Sequence, residues 1–415
     1  MKNFLLRMLA EGVFVLWAFC SMQAASSEQT IFAFPTDGSG GSIPTGGLIS
    51  DAAGNLYGTT ASGGAYKCGA VFKLSSENGT WAEDLLYSFK CGPDDGWDPE
   101  SALLLDAAGN LYGTTAGGGP SSNGTVFKLS LDGAGAWTET VLHAFNGTDG
   151  SLPILSPLVA DARGNLYGVT QGFCYRGTCA NGTVFEMSPQ TDGAWSFKVL
   201  HSFGHTGLPD AGVILDKAGD LYGTTVYGGT KSCPPNTWAC GTVYKLSHGA
   251  KGWTFTTIFA FDYADGAYPM GNLIMDNTGN LYGTTNGGGG TYNGGVAFML
   301  SPNSTGWKEK ILHVFGKPGD VSGPSSVAFD ASGNLFGSAP ISTNANNDQE
   351  NGFVFKLTHQ ANGSWSESVV YRFPQINSAP YPNSDLIWNQ AGTALLGTTG
   401  PYNTDPSGAV YEVTP

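Results

Sequence analysis

The segment GNLYGTT opens at Gly54 and returns, intact or diverged, at Gly109, Gly164, Gly219, Gly279, Gly333 and Gly392, in steps of 55, 55, 55, 60, 54 and 59 residues. A period of that size marks a solenoid, a propeller or a linear array. Each copy divides into four short runs. The first is apolar and ends in Asp, as in Leu48-Ile49-Ser50-Asp51. The second is NLYGTT, the third alternates as in Ala70-Val71-Phe72-Lys73-Leu74, and the fourth runs from a Trp to a Phe, as from Trp137 to Phe145. Alternation with β-branched and aromatic side chains predicts that all four are strands. The D-x-x-G-N link between the first two supplies an Asx-type cap and a glycine for positive φ. The 62 glycines, without a G-X-Y period, argue against collagen and long helices.

Four strands per unit make a propeller blade. The chain ends in Gly408-Ala409-Val410-Tyr411-Glu412-Val413, a third strand, so its seventh unit lacks a fourth. Ile31-Phe32-Ala33-Phe34 matches the close of a fourth strand, compare Ile258-Phe259-Ala260-Phe261. The fold predicted is therefore all-β, a seven-bladed β-propeller of four-stranded blades in one domain over residues 26–415. The N-terminal strand completes the last blade, which removes the open edges of a linear array.

Ahead of that domain, Lys2 and Arg7 precede an apolar stretch from Val13 to Phe19 and the small residues Ala24 and Ala25. Residues 1–25 read as a secretory signal peptide, too short in its apolar part to span a bilayer. An exported chain is expected, periplasmic, cell-surface or secreted, with no membrane span after the leader. Six cysteines remain beyond it, and an even number in an exported chain favours disulfides. Cys174 with Cys179 and Cys233 with Cys240 each share one loop, which leaves Cys68 with Cys91. No CxxC or neighbouring His pair supports zinc among the cysteines. A formal charge of −15 without any basic run excludes a phosphate-backbone binder.

The repeat D-x-x-G-N-L-Y-G-T-T, followed by G-x-V-F-K-L, an L-x-x-F strand and a D-G-x-x-P loop, resembles the GloVer tandem repeat of exported bacterial proteins. The resemblance covers nearly the whole chain after the leader and carries no established activity with it. Such proteins often end in an anchoring segment. Here Pro415 follows the last strand directly, a departure from that pattern that puts surface anchoring in doubt.

In a propeller the loops from strand two to strand three, and from strand four to the next strand one, share a face. Here they are the long, variable, acidic and aromatic ones, and they hold all six cysteines. Binding residues concentrate on loops held by a rigid frame. The candidate ligand-binding residues are accordingly Trp97, Trp238 and Tyr268, as apolar platforms with a polar rim, and Asp95, Asp98, Asp149 and Asp265. Packing between loops is the competing account of the aromatics. For the recurring Asp-Gly pairs, a capped turn with Gly at positive φ and a stiffening Pro competes with a Ca2+ site, for which no EF-hand spacing exists. No cofactor is expected otherwise.

His143, His201 and His313 hold a fourth-strand position that Tyr87, Phe259 and Tyr371 occupy in other units, so they read as packing. His205 beside Asp210 is the one candidate acid or base. Hydrolase, P-loop, zincin and dinucleotide motifs are absent, and no catalytic residue is assigned. The expectation is an exported, monomeric, non-enzymatic scaffold binding carbohydrate or a protein surface. The alternatives are a carbohydrate-active enzyme, a glycoside hydrolase or lyase using two face carboxylates, and a purely structural envelope protein.

Overall fold

The computed structural model describes residues 26–172, 174–175, 178–179, 181–204, 207–231, 233, 239–317, 320–343, 349–373, 381–382, 384–400 and 407–415. The predicted leader lies outside them. Seven four-stranded antiparallel sheets form the ring. The first blade, Ile49–Ser50, Leu56–Thr60, Ala70–Glu77 and Thr80–Ser88, sets the pattern for all. Its innermost strand is only two residues long. The same holds in five other blades, and Val327–Phe329 in the sixth adds one. The apolar run predicted as a full strand therefore pairs over only two or three residues.

The second and third strands are locked by size complementarity. In every blade the second-strand glycine, in Y-G-T-T or its diverged forms Y-G-V-T, F-G-S-A and L-G-T-T, stands opposite the third-strand aromatic: Gly58 opposite Phe72, Gly113 opposite Phe127, Gly168 opposite Phe185 and Gly223 opposite Tyr244. Gly283 with Phe298, Gly337 with Phe355 and Gly397 with Tyr411 complete the set. A Cβ on Gly58, Gly113, Gly168 or Gly283 would lie 2.5–2.7 Å from a ring carbon. Glycine is required here for space, not for an unusual φ.

Those rings in turn receive the phenylalanine that ends the outer strand of the preceding blade. Phe89 meets Phe127, Phe145 meets Phe185, Phe203 meets Tyr244, Phe261 meets Phe298, Phe315 meets Phe355 and Phe373 meets Tyr411, with centroids 5.0–5.3 Å apart. Phe34 meets Phe72 at 5.1 Å and closes the belt. Seven apolar clusters, one per seam, surround these contacts. Edge-on pairs of this kind add about 0.5–1.5 kcal/mol each beyond their burial.

Ring closure follows the expectation from the sequence. Ser27–Ala33 pairs antiparallel with Ala409–Thr414, with Phe32 opposite Val410 and Ala33 opposite Ala409. The Phe34 N–H continues the register by donating to the Gly408 carbonyl at 3.1 Å. At the other end of the blades the D-x-x-G-N cap forms as read. Asp51 Oδ1 accepts from the N–H groups of Ala53 and Asn55, Oδ2 accepts from Asn55 Nδ2 and the Tyr57 hydroxyl, and Gly54 has φ 84°. The Asp carboxylate thus caps the turn and fixes the tyrosine two residues beyond the asparagine.

If the N-terminal strand is an integral part of the ring, Phe34→Ala should destabilise as much as Phe89→Ala, each by about 3–5 kcal/mol in denaturant unfolding. A Phe34→Ala variant as stable as the parent would show that the first strand is dispensable to the closed ring.

Candidate functional site

The prolines of the fourth-to-first loops stitch neighbouring blades. Pro44, Pro153, Pro209 and Pro269 fill the space where a Cβ would stand on Gly408, Gly124, Gly182 and Gly241. The residue before three of them, Ile43, Leu152 and Tyr268, has positive φ, as does Asp98 before Pro99. Its N–H donates to the preceding blade, as Asp98 to Cys68 and Tyr268 to Cys240, and its carbonyl accepts from its own blade, as Asp98 from Ala116 and Tyr268 from Asn286. A left-handed residue ahead of proline is strained, and these paired hydrogen bonds hold it there. The loop pairing also fixes the face. Gly96–Trp97 in a fourth-to-first loop pairs with Gly117–Gly118 in a second-to-third loop, and the Cys68–Cys91 disulfide joins the same two loop types.

Beyond each stitch the chain runs inward, and all seven lead-in segments converge on one cavity of about 290 Å3. Directly after the loop proline come Thr45, Glu100, Asp210 and Met270. Two residues further on come Gly47, Ala102, Asn272 and Asp385. One or both of these positions line the cavity in five blades, with unlike residues in each, while the third blade adds Leu155 and Pro157 and the sixth Gly323, Pro324 and Ser325. Leu155 and Met270 form its apolar part and are 44% and 43% exposed. Volumes of this order lie at the small end of ligand pockets, about 300–1,000 Å3, and suit a monosaccharide-sized molecule.

Its polar groups are held in place by defined hydrogen bonds. Asp210 is buried, with its carboxylate accepting from Gln171 Nε2. Burial pushes its pKa above the usual carboxylate range, against the lowering effect of that bond. Asn272 Nδ2 donates to Asp385 Oδ2 at 2.6 Å, and its Oδ1 accepts from the Gly212 N–H at 2.8 Å. Burial first, then the charges of Asp98 and Asp210, push the Glu100 carboxyl up to about 7. At neutral pH a large fraction of Glu100 is thus a protonated donor beside acceptor carboxylates. Among the described residues the cavity carboxylates do not converge as a set of three within single-ion reach. The arrangement is one of hydrogen-bond donors and acceptors over an apolar floor.

The residues singled out from sequence are distributed differently. Asp98 is half-buried, does not line the cavity, and raises Glu100 through its charge. Asp95, Asp149 and Asp265 sit in three separate seams, near the outer strands. Asp95 accepts from the Tyr87 hydroxyl and the Lys90 N–H at 2.8 and 2.9 Å. Asp149 accepts from the Asn146 N–H and contacts His143 Nε2 at 3.1 Å, and Asp265 accepts from the Asp262 N–H at 2.7 Å. These are turn caps. The glycines after Asp149 and Asp265 have φ 136° and 132°, as expected, but Gly96 does not lie at positive φ. It is needed because a Cβ would collide with Thr115.

Trp97 is half-buried with its indole over Gly117, and half-buried Tyr268 meets the Tyr227 ring at 5.7 Å. Both pack between loops. Trp238 and His205 lie outside the described residues. Disulfides join Cys68 to Cys91 and Cys233 to Cys240. The side chains of Cys174 and Cys179 lie outside the described residues, although their backbones face one another across a two-stranded ribbon. Glu100, Asp210 and Asp385 are visible in the sequence as loop acids, whereas Asn272 is not. The signal that groups all four is position, one and three residues after the loop proline.

A family model described as Gloeobacter/Verrucomicrobia repeat matches residues 17–233 and 135–347. No curated protein matches the chain. Among solved structures, a protein assigned as a 6-phosphogluconolactonase from Bacteroides uniformis is similar at 13% identity and a TM-score of 0.51, over 88% of this chain and 95% of that one. A gluconolactonase from Xanthomonas campestris is 13% identical with a TM-score of 0.45, over 94% and 89% of the two chains. A protein of unknown function from Dyadobacter fermentans is 10% identical with a TM-score of 0.48, over 94% and 99%. At such identities the likeness shows the fold alone. No helix among the described residues is long and apolar enough to cross a membrane.

The raised carboxyl gives a pH signature. An unfolded glutamate titrates near 4.5 and folded Glu100 near 7, so its contribution to stability is complete below about pH 4.5 and is lost as pH rises through about 7. Glu100→Gln should therefore flatten the fall of Tm across that window relative to the parent in calorimetry. Identical slopes for parent and variant would show that Glu100 titrates as an ordinary surface carboxyl.

Proposed function

The chain belongs to the Gloeobacter/Verrucomicrobia repeat family, and from that premise we propose that it binds a neutral, polyhydroxylated small molecule of the sugar class in the axial cavity. The observation that carries this reading is the convergence of all seven lead-in segments on one cavity that pairs half-exposed Leu155 and Met270 with the buried acid Asp210 and the raised Glu100. A sugar presents an apolar C–H face and hydroxyls that both donate and accept. Leu155 and Met270 suit the first, and Glu100 as donor with Asp210 and Asp385 as acceptors suits the second. A net charge of −15 and this acidic lining disfavour an anionic ligand.

The disulfides support residence in an oxidising compartment, where a binder of free sugars or glycan ends would meet its ligand. Cross-links such as Cys68–Cys91 hold the loop face preorganised, which lowers the ordering cost of binding.

One observation favours catalysis as a second reading. A carboxyl titrating near 7 beside a second buried acid is the arrangement of a general acid with its partner. Hydrolysis of a glycoside or a sugar lactone would use Glu100 to protonate the departing oxygen.

Calorimetric titration of neutral monosaccharides and aldonolactones, with turnover followed in parallel, separates the two readings. Glu100→Gln keeps a donor and should leave binding nearly intact, while Glu100→Ala and Asp210→Ala should each weaken it about tenfold or more, as a buried hydrogen bond lost with its partner left behind costs about 1–3 kcal/mol. Turnover abolished by Glu100→Gln with binding retained would favour the enzyme. No saturable binding across the panel would overturn the proposal.

A further inference from the structure

Each outer strand presents one side chain to the next blade at a constant register. Tyr87, His143, His201, Phe259 and His313 stand opposite Val71, Val126, Val184, Val243 and Ala297 of their own third strands. The facing position of the following blade, opposite the third-strand Leu or Met, holds Glu139, Phe197, Phe255, Glu309 and Glu367 respectively. Where histidine faces phenylalanine it stacks, His143 on Phe197 at 3.7 Å and His201 on Phe255 at 3.9 Å, and these two are packing residues as the sequence implied. His313 is different. It faces a glutamate, and the loop between the blades adds a third group.

His313 Nε2 lies 2.9 Å from Asp320 Oδ2, and one ligand atom each from His313, Asp320 and Glu367 fall within 4.8 Å of one another. No other set of three His, Cys, Asp or Glu side chains does so among the described residues. The side chains of His313 and Asp320 are 14% and 8% exposed. Asp320 Oδ1 accepts from the Val321 N–H at 2.8 Å, which fixes the carboxylate and leaves Oδ2 directed at the histidine. Glu367 Oε1 is sealed from solvent and has no hydrogen-bond partner.

The corresponding oxygens of Glu139 and Glu309 are orphaned too, but there the loops bring Lys90 and Lys231 to offset the paired acids, and no imidazole completes the group. At the Glu367 seam the positive influences are His313 itself and Arg372, whose guanidinium lies 4.3 Å above the Phe353 ring. An orphaned, desolvated oxygen beside a fixed carboxylate and an imidazole nitrogen is costly as it stands. It is also a ligand set.

We propose that His313, Asp320 and Glu367 bind one borderline divalent metal ion, Zn2+ foremost, between the fifth and sixth blades. One imidazole with two carboxylates matches zinc and its first-row neighbours, whereas Ca2+ and Mg2+ favour all-oxygen sets. The ion displaces the proton shared by His313 Nε2 and Asp320, satisfies Glu367, and pins two blades together near their outer strands. The site is independent of the axial cavity.

The ring supplies its own controls, since Phe259 and Phe197 show that phenylalanine is accommodated at both variable positions. The full chain, stripped with chelator and dialysed, is titrated with ZnCl2 and with CoCl2, whose visible absorption reports coordination. One saturable ion per chain, a rise in Tm with Zn2+, and loss of both in His313→Phe and Glu367→Gln, but not in His143→Phe, is the expected result. Absence of saturable binding in the parent, or binding that survives both substitutions in folded protein, overturns the proposal. Preference for Ca2+ with indifference to His313→Phe overturns the assigned class of ion.

Discussion

The ring depends on one steric arrangement, a glycine in the second strand covered by an aromatic ring of the third. Because Gly58 has no Cβ, Phe72 lies flat enough across the sheet for its edge to be reached from the neighbouring blade, and Phe34 reaches it. The arrangement recurs at every seam, so a continuous belt of aromatic contacts joins the blades alongside the backbone hydrogen bonds of the loop stitches. Only the closing blade uses backbone pairing to join the two chain ends. Burial of these rings costs no polar group except where tyrosine replaces phenylalanine, as at Tyr244 and Tyr411.

That belt explains why the cavity is lined from positions the repeat leaves free. The glycines, the aromatics, the Asp caps and the loop prolines are committed to holding the ring. The residues one and three places after each proline have no such duty, and their segments all run to the axis. Thr45, Glu100, Asp210, Met270, Asn272 and Asp385 consequently share one cavity although they are spread over three hundred residues and more of chain. Local burial does the rest. Burial first, then the charges of Asp98 two residues earlier and of Asp210, which the ring brings near, push the Glu100 carboxyl up to about 7. The seam residues follow the same logic on the outside of the ring, where two of three histidines at one register stack on rings and the third meets two carboxylates.

Strand number, blade number, closure and the capped D-x-x-G-N turns were legible in the chain because each is a local pattern repeated seven times, and repetition turns weak propensities into a firm reading. Cys233–Cys240 was legible from loop membership, and Cys68–Cys91 as the pair left over. The site was not. Asp95, Asp149 and Asp265 stand out in the sequence since they recur with glycine, yet recurrence marks scaffold here, and their carboxylates cap turns. What the sequence by itself determined is the set of interactions that every blade makes with itself and its neighbour, since spacing alone specifies them. Only the tertiary structure decided which unlike residues from different blades meet, because closing the ring brings together side chains that no sequence interval relates.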